Sequence, residues 1–262
     1  MGAGLRGVKS LSSDEMGTLK KCDFIFVDGY TAIFPSDFKD ELTSSVGKTV
    51  TFLGRQDVED FSFIDKSAGQ VALIVSGDAM VSTTHFSILR YCRENGISYK
   101  IFENSSILSA IPGRTGLSSY RTGNIVSIPD IQDNFVPRSP LQKIFSNLKN
   151  RLHTTILIDL IDSKNLDAER VQQIFRKMSD DPQMDLVFEI PVILLERIGW
   201  NDEEVFCSRL VDFSELQMNS PYCMVMPFMP DSNEIENMAA LNLKNMELFL
   251  NFDYARILDS TI

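Results

Sequence analysis

Val71-Ala72-Leu73-Ile74-Val75-Ser76-Gly77-Asp78-Ala79-Met80-Val81-Ser82-Thr83-Thr84-His85 is the stretch whose reading decides the fold. Its first five residues are an unbroken apolar run, rich in branched side chains, and predict a buried strand. Residues 86–95 predict a helix. The turn between them pairs a glycine with an aspartate and continues in small hydroxyl side chains. A loop of this kind at the carboxyl end of a strand is where open α/β sheets bind ligands.

Working outward, strand and helix alternate through the N-terminal half. Residues 24–27 and 49–53 predict strands, and 35–46 a helix with Ser36 as candidate cap. Residues 99–102 predict another short strand, after the helix-stop pair Asn95-Gly96. Alternation of this type suggests a mostly parallel sheet. Near Ile111-Pro112-Gly113-Arg114-Thr115-Gly116 the character changes. Strands are expected at 125–128, 154–160, 192–195 and 222–226, with helices over 141–151 and 167–178. The C-terminal region after 226 reads as polar. The acidic run Asn201-Asp202-Glu203-Glu204 reads as a solvated turn. These elements predict an α/β protein of two domains, residues 1–107 and 108–262, with mixed, mostly parallel sheets.

The bulk properties narrow the function. The chain has 262 residues, 44% of them hydrophobic, which is enough for a sizeable core. A formal net charge of −11 argues against non-specific nucleic-acid binding, which needs clustered Lys and Arg. No apolar run reaches the ~18 residues of a membrane span, and the start lacks the basic-then-apolar pattern of a secretory signal. Four scattered cysteines and two histidines, His85 and His153, predict reduced thiols, a cytoplasmic setting and no metal site.

Seven segments in order carry a resemblance. They are Gly2-Ala3-Gly4-Leu5, Asp28-Gly29-Tyr30-Thr31, Arg55-Gln56-Asp57-Val58-Glu59, residues 77–85, Ser106-Ile107-Leu108-Ser109-Ala110, Thr115-Gly116-Leu117-Ser118-Ser119-Tyr120 and Leu152-His153-Thr154. Together they resemble the diphthine synthases, of archaeal type, within the tetrapyrrole-methylase-like class of S-adenosylmethionine-dependent methyltransferases. The resemblance is good over residues 2–160 and weak beyond. It implies two α/β domains with the methyl donor held in the cleft between them, and a homodimer. It also implies methylation of the α-amino group of a modified histidine on translation elongation factor 2, with S-adenosylmethionine as cofactor.

The resemblance assigns roles to single positions. Leu5, Asp78, Val81, Ser106 and Ile107 match donor-contacting positions, and Thr83-Thr84 line the same loop. Ile158 and Ile198 fall where apolar cleft residues sit, and each also reads as ordinary core. Asn233 is the nearest match to a family histidine near the C-terminus. His153 reads either as a catalytic group beside the acceptor amine or as a histidine ordering the start of a strand. Tyr30 and Tyr120 read as cleft or substrate-facing aromatics, or as core. Methyl transfer from a sulfonium to an amine is an in-line displacement with an already activated donor, so proximity and alignment are the main requirements. An α-amino group titrates near ~8, so solvent or a modest base suffices to take its proton.

The pattern departs from the family in three places. Only Met1 precedes Gly2, where the family has an apolar strand; the expectation is a start assigned too late. Ala79 stands where a proline is usual, and Asn233 where a histidine is. Two other readings stay open: a same-fold methyltransferase acting on a tetrapyrrole or other small molecule, and a donor-binding homologue without catalysis.

Overall fold

The computed structural model describes the whole chain except residues 32, 66, 83–84, 132–135, 162–163, 180–184 and 260–262. The chain divides into two compact units, Met1–Ser109 and Ala110–Ile262.

In the first unit, strands β1 (Phe24–Asp28), β2 (Val50–Leu53) and β3 (Val71–Ile74) form a parallel sheet in the order β2-β1-β3. Ile25 pairs with Val50 on one side and Ala72 on the other. Successive side chains of a strand face opposite ways, so Ile25 and Val27 enter one core with Leu42, Val46 and Ile74. Phe26 packs on the other face against Leu53, Phe63 and Ile88. Burial on both faces explains the near-continuous apolar runs of this sheet.

Helices α1 (Ser13–Lys21), α2 (Phe38–Val46), α3 (Arg55–Glu59), α4 (Ser62–Asp65) and α5 (Phe86–Glu94) cover those faces. A capping box opens α1: Glu15 N–H donates to Ser12 Oγ at 3.2 Å, and Ser12 N–H to Glu15 Oε2 at 2.6 Å. Gly47, at φ 68°, ends α2 in the left-handed conformation. The start of α2 corrects the sequence reading: Asp37, not Ser36, stands at the cap position, and it makes no side-chain cap bond.

Met1 to Gly4 run beside the free edge of β3. The Met1 ammonium donates to Leu73 O at 2.8 Å, Ala3 N–H to Val75 O at 2.8 Å, and Val75 N–H to Met1 O at 3.0 Å. The strand expected over 99–102 does not form. Of the bonds to that segment, Phe102 O accepts Gly2 N–H at 2.9 Å, but a single bond is not a ladder and Tyr99 stays exposed. Between β3 and this segment lies a cavity of about 690 Å³, lined by Leu73, Ile88, Cys92, Tyr99 and Phe102 among others.

Helix α6 (Ile107–Thr115) carries the chain into the second unit. There β4 (Val126–Ile128), α7 (Ser139–Lys149), β5 (Thr154–Ile158), β6 (Leu160–Ile161), β7 (Lys164–Asn165), α8 (Ala168–Met178), α9 (Asp185–Glu189), β8 (Pro191–Glu196), β9 (Glu204–Arg209) and β10 (Tyr222–Met226) come in that order. The main sheet runs β4-β5-β10-β8-β9, with β4 and β5 parallel and the other neighbours antiparallel. β6 and β7 make a small separate hairpin.

Strand β9 has no counterpart among the strands expected from sequence. The acidic lead-in to Val205-Phe206-Cys207 masks its alternation, and pairing with the fully buried β8, Phe206 opposite Leu194, holds it in the sheet. The polar C-terminal region is helical in part: α10 (Ser232–Ala240), α11 (Glu247–Asn251) and α12 (Ala255–Asp259). Among the described residues no helix is long and apolar enough to cross a membrane.

Candidate functional site

In the first unit the loop after β3 is built from close backbone approaches. Gly77 adopts φ 73°, and a Cβ on Gly2 would lie 2.5 Å from Gly77 O. Gly77 and Gly4 exchange two backbone hydrogen bonds, each of 3.0 Å. Only residues without a side chain allow strands of chain to meet this closely.

Asp78 is half-buried, and its carboxylate is already engaged. Oδ1 accepts Met80 N–H at 2.8 Å and Oδ2 accepts Asn104 N–H at 3.0 Å. Each oxygen keeps a lone pair for a further donor. Asn104 extends the network: its carboxamide nitrogen donates to Gly2 O at 3.1 Å and Ser10 O at 3.2 Å, and its oxygen accepts Ser105 N–H at 2.8 Å. Asn104, through its side chain and its backbone N–H, thus ties the glycine loop of residues 2–10 to the Gly77-Asp78 turn and the 104–106 segment. Sequence reasoning gives Asn104 no role, because nothing in local spacing announces partners 102 and 94 residues away.

Ser106 is buried and organises the start of α6. Its N–H donates to Ser109 Oγ at 3.0 Å, and Ser109 Oγ donates to Ser106 O at 2.9 Å. Ile107, the first residue of α6, is half-buried, as is Leu5 just after Gly4. Val81 is 38% exposed. Thr83 and Thr84 lie outside the described residues. Leu5, Asp78 and Ser106 therefore belong to loops that hydrogen bonds hold together, Ile107 opens the helix that follows, and Val81 is part-exposed on the loop after β3.

A buried polar group supports the same loop. Asp28, at the end of β1, has no exposed surface. Its Oδ1 accepts the N–H groups of Tyr30 and Thr31, each at 3.0 Å, and its Oδ2 accepts the Thr31 hydroxyl. His85 Nε2 lies 2.9 Å from Asp28 Oδ2, and His85 Nδ1 lies 3.1 Å from Ala79 O. Burial alone raises the Asp28 carboxyl, but the bonds from His85, Thr31 and Tyr30 outweigh it and hold it below the usual aspartate value.

In the second unit His153 is buried, and its Nε2 lies 2.9 Å from Glu234 Oε1. Glu234 stands in the first turn of α10 as half of a capping box with Asp231. It also accepts Ser118 N–H at 2.9 Å and pairs with Arg121. Burial works against its charge, yet the bonds from His153, Ser118 and Asp231 bring it down to about 2. Among the described residues His153 Nδ1 has no hydrogen-bond partner. Ile158 in β5 and Ile198 in the turn after β8 are buried core residues. Arg197 anchors that turn, donating from Nε to Ser220 O at 3.0 Å. Asn233 is exposed on the first turn of α10, beside the buried Glu234, to which sequence reasoning assigns nothing. Tyr120 is 97% exposed, whereas Tyr30 is half-buried.

Comparison with known proteins adds to this geometry. Residues 1–213 match the family described as Tetrapyrrole (Corrin/Porphyrin) Methylases. The diphthine synthase of Thermoplasma acidophilum is 33% identical over 235 residues, covering 89% of this chain and 91% of that protein. The diphthine synthase of Methanothermobacter thermautotrophicus is 28% identical, covering 87% and 88%. A crystal structure of diphthine synthase superimposes with a TM-score of 0.82 at 26% identity, over 96% of this chain and 98% of that one. With a family match over most of its length and relatives aligned nearly end to end, the chain belongs to the tetrapyrrole (corrin/porphyrin) methylase family.

Proposed function

We propose that the chain acts as a diphthine synthase, an S-adenosylmethionine-dependent methyltransferase acting on the α-amino group of the modified histidine of translation elongation factor 2. The observation that carries this reading is the full-length similarity to diphthine synthases of known name, joined to the tied loops after β3.

The residues of these loops fit the donor's chemistry. Asp78 keeps lone pairs for hydroxyl or ammonium groups, Gly77 leaves backbone open to close approach, and Leu5, Val81 and Ile107 offer apolar surface. Ser106 adds backbone and hydroxyl contacts. The assignment of Ile158, Ile198 and Asn233 to the donor rests on the resemblance alone. When bound, the donor supplies a methyl group already activated on sulfur. Transfer of that methyl to the acceptor nitrogen would break the carbon–sulfur bond, the electron pair leaving with sulfur, so the residues around it would have to hold nitrogen, carbon and sulfur in line. The ammonium product loses a proton to water before the next methylation. The protein's task is alignment of the two partners and exclusion of competing geometries.

His153 works best as a positioning group. Its Nε2 is committed to Glu234, and it fixes the chain near Ser118 and Arg121. The exposed Tyr120 in that segment is suited to contact the protein substrate. A homodimer in the cytoplasm completes the reading.

The test is transfer of labelled methyl from S-adenosylmethionine to elongation factor 2 bearing the aminocarboxypropyl-histidine intermediate, with mass spectrometry of the modified peptide. Methyl groups gained on that one histidine establish the activity and count the steps. Transfer to a porphyrinoid precursor instead would move the assignment to a small-molecule methylase. Donor binding without transfer to either acceptor would leave a non-catalytic homologue.

A further inference from the structure

We infer that His85 is held as a doubly protonated ring between Asp28 and the carbonyl of Ala79, and that this bridge positions the Gly77–Met80 loop for the methyl donor. The second half of the inference rests on the donor-site reading above.

Donors and acceptors around the ring decide its protonation. A neutral imidazole carries one N–H and one lone pair, so it donates once and accepts once. Here each ring nitrogen faces an oxygen: Asp28 Oδ2 at 2.9 Å from Nε2, and Ala79 O at 3.1 Å from Nδ1. A carbonyl oxygen only accepts, which requires a proton on Nδ1. The carboxylate already takes three other donors, the Tyr30 and Thr31 amides and the Thr31 hydroxyl. That arrangement favours the charged carboxylate, which leaves the remaining proton on Nε2. Both side chains are closed to solvent, and a buried charge persists only when paired and hydrogen-bonded, as both are here.

The position of the bridge gives it its consequence. Ala79 directly follows Asp78, whose carboxylate is tied to Asn104. Asn104 holds one side of the loop, and His85 holds the other from the end of β1. His85 acts through the Ala79 carbonyl and is a positioning residue. Its loss frees the Ala79 carbonyl and lets the turn relax from the shape the donor needs. Charge-assisted hydrogen bonds are among the strong ones, so a loosened loop should weaken donor binding by about tenfold or more.

Two measurements on the full chain test this. Nitrogen-15 spectra of the histidine rings near neutral pH, assigned by the signal missing in His85→Gln, should show both His85 nitrogens protonated; a single tautomer overturns the bridge. This readout needs no donor, so it stands apart from the donor-site reading. Calorimetry with S-adenosylmethionine should then show about tenfold weaker binding in His85→Gln and in Asp28→Asn. The double variant should be no weaker than the weaker single one, because the two act as a unit. Rates at saturating donor should stay within about threefold. Unchanged affinity, or effects that add, would overturn the positioning role. A wild type that fails to bind donor would instead remove the donor-site reading, with the ring spectra still deciding the bridge. Should either variant fail to fold, the wild-type ring spectra, assigned through bonds from the backbone resonances, decide it as well.

Discussion

His153 Nε2 lies 2.9 Å from Oε1 of Glu234, with both side chains closed to solvent, and this pair joins the start of β5 to the first turn of α10. Glu234 also takes Ser118 N–H and Arg121, so one carboxylate gathers three segments far apart in the chain. Its folded value of about 2 lies below the ordinary 4.5.

A depressed carboxylate stabilises the fold fully above its unfolded value, and that contribution is lost as pH falls toward the folded one. The second unit should therefore weaken between about pH 4.5 and 2. Glu234→Gln should cost about 3–5 kcal/mol at neutral pH, as removing one partner of a buried pair does. The variant should also flatten the acid limb. Urea melts at a series of pH values check both.

Asp78→Ala should weaken S-adenosylmethionine binding, measured by calorimetry. The Asn104 bond adds a second expectation, since Asn104 N–H loses its acceptor when the carboxylate goes. Asp78→Asn keeps an acceptor oxygen while removing the charge. It should retain more of the loop's stability than Asp78→Ala while still losing affinity by about tenfold. Equal affinity in wild type and Asp78→Ala would take this carboxylate out of the site.

Gly4→Ala should destabilise the first unit by about 1–3 kcal/mol. Gly4 sits at φ 59°, and an added Cβ would come within 2.6 Å of Ser10 Cβ and 2.7 Å of Asn104 Oδ1. Gly47 is the matched control: it has a similar φ of 68° but nothing within 4 Å. Gly47→Ala should show backbone strain alone, on the order of 1 kcal/mol. Thermal melts of the pair separate crowding at the loop from conformational strain.

Much of the first unit is legible in the sequence because its signals are local. β1 and β3 announce themselves by apolar runs, and α5 by its place after a Gly-Asp turn. The 99–102 segment misleads for the same reason: its residue types suit a strand, but a strand also needs a partner alongside, which local sequence does not show. β9 is hidden by its acidic lead-in, and only its pairing with β8 explains it. At the site, Gly77, Asp78 and Ser106 stand out by motif. Asn104 and Glu234 do not, and Asp28 stands in a quoted motif that leaves its role unannounced, because these roles lie in partners from 57 to 116 residues distant through His85, Gly2 and Ser118. A buried polar side chain between distant segments leaves no periodic trace in the chain.

The reach of Asn104 bears on how the chain acquires its shape during synthesis. Its bonds to Gly2 and Ser10 close loops of about a hundred residues, and loop-closure entropy must be met before such contacts return anything. As the nascent chain leaves the ribosome from its N-terminus, the glycine turn emerges about a hundred residues before Asn104, its partner near the end of that unit. The N-terminal segment therefore waits, unlatched, while α1, α2 and the three parallel strands assemble, and vectorial folding of the unit ends when residue 104 clears the exit tunnel.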